Sequence, residues 1–138
     1  MDRENKRGDK LSWQLLYIAD PDYMVKPPFF IQWNDSDEYR EEQFKKFYQL
    51  TFTIETVIIS SEKRRDTVEN WKKWYDMKEI SQTDGYTDLT LANDDTCFRI
   101  EDGKESDYQS IILKDSQTTA PYSVYIRGAK YRFEPNYS

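Results

Sequence analysis

The chain has 138 residues, room for one domain, a formal net charge of −6 and no histidine. The missing imidazole excludes Ser-His-Asp and Cys-His nucleophile activation, a neutral-pH imidazole proton shuttle, and any zinc, copper or haem site with a histidine ligand. Leu, Ile, Val and Phe supply only 28 of the 138 residues, so the core must draw on eleven Tyr and four Trp, each able to bury about 150–250 Å² while its polar tip stays wet.

Residues 1–10 are polar and are expected to be a disordered N-terminal segment. Met1 to Arg7 carries charge where a signal peptide has its apolar stretch, and no run reaches the ~18 apolar residues of a membrane helix. A soluble cytoplasmic protein is therefore expected. Trp13, Leu15 and Tyr17 alternate with Gln14, Leu16 and Ile18 in a strand pattern that stops at Asp20-Pro21-Asp22. Phe29 to Trp33 is a short apolar run, read as a buried strand. Asp35 and Ser36 are N-cap candidates for a helix to about Leu50, with Asp37, Glu38, Glu41 and Glu42 at its start. Its apolar face is Tyr39, Phe44, Phe47 and Tyr48, and Lys45 and Lys46 lie near its C-terminal end.

Thr51 to Ile59 places Phe52, Ile54 and Ile58 on one face and Val57 and Ile59 on the other, which predicts a central strand. Lys63-Arg64-Arg65 reads as a solvated loop before a helix that Asp66 and Glu69 cap and that ends near Met77. Val68, Trp71 and Tyr75 form its packing face, with Trp74 beside Trp71. Strands at Tyr86–Ala92 and Thr96–Glu101 are joined by Asn93-Asp94-Asp95, and Asp102-Gly103 leads to a strand at Gln109–Lys114. Ser123–Arg127 and Lys130–Phe133 form a last pair around Gly128-Ala129. Gly85, Gly103 and Gly128 are isolated turn glycines, unlike a phosphate-cradling loop. Three segments follow: 1–10 disordered, 11–50 with two strands and a helix, and 51–138 spelling βαβββ with a C-terminal hairpin.

This order resembles the vicinal oxygen chelate, or glyoxalase-like, superfamily, whose βαβββ modules pair to form a cupped sheet. Trp13-Gln14-Leu15, Pro27-Pro28-Phe29-Phe30-Ile31-Gln32-Trp33, Thr53-Ile54-Glu55-Thr56-Val57, Val68 and Trp71-Lys72-Lys73-Trp74 resemble the C-terminal half of two-module Gram-positive bacterial members. The similarity runs from about residue 11 onward, and residues 11–50 then correspond to an incomplete first module. The resemblance implies an α+β fold with a mixed, mostly antiparallel sheet and two main helices on one side. It also implies a small-molecule site in the cup. Members with metal chemistry hold a divalent ion through His and Glu from both modules, and this chain has no His, so the metal site is not carried over and no cofactor is expected.

Glu55 and Glu101 occupy the kinds of strand position such ligands take and are the candidate catalytic carboxylates, although two carboxylates alone bind a divalent cation only weakly. Arg99, Arg127 and Arg132 lie on strand segments, and two of them on a concave face can grip a carboxylate or phosphate. Arg99, Arg127 and Tyr125 are therefore the ligand-binding candidates. The alternatives are cross-strand pairing of the arginines with Glu101, Glu134 or Asp88, and Tyr125 and Tyr131 completing a thin core. Cys97 cannot form an intramolecular disulfide and reads as a small buried strand residue. The acidic balance, with basic and acidic residues interspersed, speaks against nucleic-acid binding. Two functions follow: a protein that binds or transforms a small polar molecule in the cup, or a non-catalytic module that completes its sheet by homodimerisation or with a missing N-terminal module.

Overall fold

The computed structural model describes residues 2–4, 10–16, 25–34, 36–45, 52–92 and 94–136. The chain divides into two compact units, one of residues 1–21 and 27–50 and the other of residues 22–26 and 51–138. In the first unit, strands β1 (Asp2–Glu4), β2 (Lys10–Leu16) and β3 (Phe30–Trp33) form an antiparallel sheet in that order. Arg3 pairs with Leu11, and Trp13 with Trp33. Asp2–Glu4 thus corrects the expectation of a disordered segment over 1–10: ladder hydrogen bonds are made by the backbone, so a polar stretch can form an edge strand. Helix α1 (Asp37–Lys45) opens on Ser36, whose Oγ accepts the Tyr39 backbone N–H at 3.1 Å. Tyr39 is exposed, and the expected continuation through Phe47 and Tyr48 to Leu50 lies outside the described residues, as do Asp35 and the Asp20-Pro21-Asp22 turn.

The second unit is α+β. Strands β4 (Phe52–Ser61), β5 (Lys78–Gln82), β6 (Tyr86–Thr90), β7 (Cys97–Asp102), β8 (Asp107–Asp115), β9 (Tyr122–Ile126) and β10 (Ala129–Pro135) form one sheet in the order β5-β6-β7-β4-β8-β10-β9, and helix α2 (Arg64–Tyr75) follows β4. The β4–β7 and β8–β10 pairs are parallel and the rest antiparallel, so the sheet is mixed and mostly antiparallel. The long β-branched run of β4 explains its place in the middle. β5 was not expected, because Lys-Glu-Ile-Ser-Gln offers one apolar residue, and all five residues are exposed.

Helix α2 lies against β4, β6 and β7. Val68 and Trp71 are buried with Ile59, Leu89, Ile100, Met77 and Val25, and Val57, Phe98, Trp74 and Tyr75 pack around them. The Trp71 ring meets Tyr75 and Phe98 edge-on at 6.3 and 6.4 Å, an arrangement that aromatic quadrupoles favour. The helix starts earlier than the Asp66 cap predicts. Lys63 stands at the N-cap with no side-chain cap, and Asp66 lies in the first turn. Asp76 ends the helix in the left-handed conformation with φ 53°, before the expected end at Met77. Arg64 and Arg65 belong to the helix rather than to a solvated loop. Arg64 Nη2 donates to the Asp84 carbonyl at 3.2 Å and Nη1 lies 3.5 Å from Asp102 Oδ2, which ties the helix start to the ends of β5, β6 and β7. Among the described residues no helix is long and apolar enough to cross a membrane.

Candidate functional site

Alternation along a strand sends Val57 and Ile59 of β4 toward α2 and Ile58 and Ser60 to the opposite face. Neighbouring strands continue that face in register: Ile58 stands beside Arg99 on β7 and Ser110 on β8, Ser60 beside Glu101, Ser110 beside Lys130 on β10, and Ile112 beside Arg132. A pocket of about 560 Å³ opens there, lined by Ile58, Ser60, Glu101, Lys104, Glu105, Gln109, Ser110, Ile112, Lys130 and Arg132. Its floor is Ile58, Ser110 and Ile112 on the two central strands. One wall carries Glu101, Lys104 and Glu105, from β7 and the turn after it; the other carries Lys130 and Arg132, from β10.

Two charge clusters flank this pocket. On β6 and β7, Arg99 Nε donates to Asp88 Oδ1 at 2.8 Å and Nη2 donates to Oδ2 at 3.0 Å, and the guanidinium lies 4.0 Å from the Tyr86 ring centroid. The Ser81 hydroxyl also donates to Asp88 Oδ2 at 2.8 Å. Burial pushes the Asp88 carboxyl up, but the Arg99 guanidinium and the Ser81 hydroxyl more than offset it and hold it below its ordinary value. The Cys97 thiol beside them is pushed up to about 11, first by burial and then by the Asp88 charge, so it stays protonated and is a poor nucleophile at neutral pH. On the other flank Lys114 Nζ lies 3.2 Å from Glu55 Oε2 and 3.3 Å from Glu134 Oε2, while Arg132 Nε forms an ion pair with Glu134 Oε1 at 3.0 Å.

The structure brings the sequence candidates together only in part. Glu101 lines the pocket. Arg99 shares its face, yet its fork is taken up by Asp88, the cross-strand pairing weighed as the alternative. Glu55 is held by Lys114. Tyr125 lies directly across from Lys130, on the same face but outside the lining, and is 68 % exposed rather than part of a core. Arg127 is not on a strand. It forms the two-residue turn between β9 and β10 with Gly128, at φ 49° and 83°, because a tight hairpin of primed type needs two left-handed residues. Lys130 was missed and Arg132 was not chosen. The signal was the alternation Lys130-Tyr131-Arg132-Phe133-Glu134, which sets three charged side chains on one face of β10.

The divalent ion that the resemblance implies does not fit these residues. Glu55 is bound to an ammonium, Glu101 stands two strands away from Lys114 across the sheet, and among the described residues no three His, Cys, Asp or Glu side chains are grouped to hold a metal.

A family model described as a glyoxalase-like domain matches residues 1–75. The crystal structure of a hypothetical protein from Staphylococcus aureus is 55% identical over 99% of this chain and 54% of its own, with a TM-score of 0.94; this chain thus spans about half the length of that relative. The methylmalonyl-CoA epimerase of Mycobacterium tuberculosis is 10% identical over 60% of this chain and 87% of its own, with a TM-score of 0.42. Among curated proteins there is no match.

Proposed function

We propose, for a chain that belongs to the glyoxalase-like domain family, that the second unit binds a small polar molecule in the sheet pocket through its own side chains and without a histidine-held metal. The observation that carries this reading is the pocket itself: about 560 Å³ on the face opposite α2, with two isoleucines in its floor and charged residues on its walls. A depression of that size with a few convergent polar groups suits a small ligand. The test is a set of amide ¹H–¹⁵N spectra recorded with neutral, cationic and anionic polar compounds. Shifts gathered on Ser60, Ser110 and Ile112 are the expected result; shifts scattered over the surface, or none with any compound, would overturn it.

A second reading is favoured by β9. Tyr122, Val124, Tyr125 and Ile126 are all exposed on this edge strand, and Tyr-Ser-Val-Tyr-Ile carries no charge to repel a second copy of itself. Under this reading two chains pair β9 to β9 in solution. Light scattering after gel filtration should then give the mass of a dimer that Val124→Lys converts to monomer. A monomeric mass at ~0.5 mM, where even a weak edge pairing of millimolar Kd would be visible, speaks against it.

A further inference from the structure

The two flanking clusters differ in what they leave free. Arg99 spends the Nε/Nη2 edge of its guanidinium on both oxygens of Asp88, and it is not among the residues that line the pocket. Arg132 meets Glu134 through Nε, which leaves its terminal nitrogens unengaged among the described interactions, and it lines the pocket. Glu134 in turn shares its second oxygen with Lys114, which also holds Glu55. Two carboxylates and two cations balance along this chain of four. Lys130, one alternation back on β10, adds a positive charge with no ion pair among the described residues.

We infer that the pocket is an oxyanion site: it takes a small molecule by a carboxylate or phosphate group, gripped by the terminal nitrogens of Arg132 and the ammonium of Lys130. This deepens the proposed function and rests on it. A guanidinium presenting a pair of N–H groups matches the two oxygens of a carboxylate or phosphate, and an ammonium beside it adds a point charge. Glu134 is a positioning residue. Its carboxylate pairs with the Nε side of the guanidinium, which leaves the terminal nitrogens for the ligand. The opposite wall carries Glu101 and Glu105 against the single cation Lys104, and so favours a hydrogen-bond donor, a hydroxyl or ammonium, at the other end of the ligand.

The experiment titrates the full chain with inorganic phosphate and, separately, with succinate, following amide shifts of Ser110 and Ile112 and the Arg132 Nε–H resonance. Saturable shifts with either probe support the site; phosphate alone identifies a phosphoryl ligand, succinate alone a carboxylate. Arg132→Lys keeps the charge and loses the fork, so about a tenfold weakening is expected. Lys130→Gln weakens binding independently, which keeps the test intact should an Arg132 variant fail to fold. Glu134→Ala weakens it as well, while Glu134→Gln restores it, because the carboxamide oxygen can occupy the place of the carboxylate oxygen beside Nε. Arg127→Gln, in the β9–β10 turn, leaves both titrations unchanged. Pocket shifts with neutral or cationic compounds but with neither anion would overturn the oxyanion assignment and spare the binding reading. No pocket shift with any compound would remove both.

Discussion

Asp88 and Arg99 face each other across β6 and β7, and their pairing is a structural matter before it is a functional one. The Asp88 side chain is 7 % exposed and that of Arg99 31 %, so removing the carboxylate charge leaves a guanidinium partly out of water with no matching anion. Asp88→Asn should cost about 2–3 kcal/mol, below the ~3–5 kcal/mol of a fully buried pair because water screens Arg99 on one side. Since the folded-state pKa of Asp88 is depressed, its contribution is fully present above the ordinary carboxylate range and is lost as pH falls through the lower folded value. Urea unfolding at pH 7 and pH 3 measures this. The wild type should lose more stability over that interval than Asp88→Asn does, and equal losses would show that the pair is energetically idle. The same pair explains how much of the site was legible. Charged residues at alternate strand positions mark a polar face in the sequence, but which arginine spends its fork on a neighbouring carboxylate depends on register, and register is long-range information.

At the level of elements, the long apolar strand and the helix with Val68, Trp71 and Tyr75 on one face are plain in the sequence because their periodicities are strong. The weak edges, β1 and β5, are not plain, since backbone ladders on polar strands leave no side-chain pattern. The start of α2 was misread for a different reason. Asp66 with Glu69 has the spacing of a cap, but the buried Ser61 hydroxyl accepts the Lys63 N–H at 3.2 Å and lies 2.8 Å from the Thr67 hydroxyl, so the turn is made one residue after β4 ends. The N-cap side chain is therefore missing, and Lys63→Asp should stabilise the protein by about 1 kcal/mol by supplying an acceptor to the first turn. An unchanged or lowered Tm would show that the Ser61 turn forbids the cap geometry. A second element-level constraint sits beside the pocket. A Cβ added at Gly103 would run into Ser60 Oγ, with Ser60 Cβ 3.1 Å away. Gly103→Ala should cost about 1–3 kcal/mol through this overpacking, and much of that cost should vanish in the Ser60→Ala background, where the clashing oxygen is absent. Equal costs in both backgrounds would place the strain elsewhere.

On the scale of the whole chain, the second unit is discontinuous: residues 22–26 belong with residues 51–138 although the intervening residues belong to the first unit. Val25, at 2 % exposure, is part of its core, and the Tyr108 hydroxyl on β8 donates to the Lys26 carbonyl at 2.8 Å. This tether has a pH signature. Burial above all raises the Tyr108 hydroxyl from 10.0 to about 12, with the Tyr75 and Asp107 charges adding to it, and burial likewise raises Tyr75 to about 12. The unfolded chain gives up these protons near the ordinary tyrosine value while the folded chain still holds them, so the folded state binds more protons in that interval. Stability is then fully present below about pH 10 and declines as pH rises toward the folded values near 12. Lysines titrate in the same range, which makes the wild type alone uninformative and a difference experiment necessary. Tyr108→Phe keeps the ring and removes both the hydrogen bond and the titrating proton. It should cost about 0.5–1.5 kcal/mol at pH 8, and its melting temperature should fall less steeply than that of the wild type between pH 9.5 and 11.5. Parallel slopes would mean that the hydroxyl is already in contact with water and that Val25 alone holds residues 22–26 to the second unit.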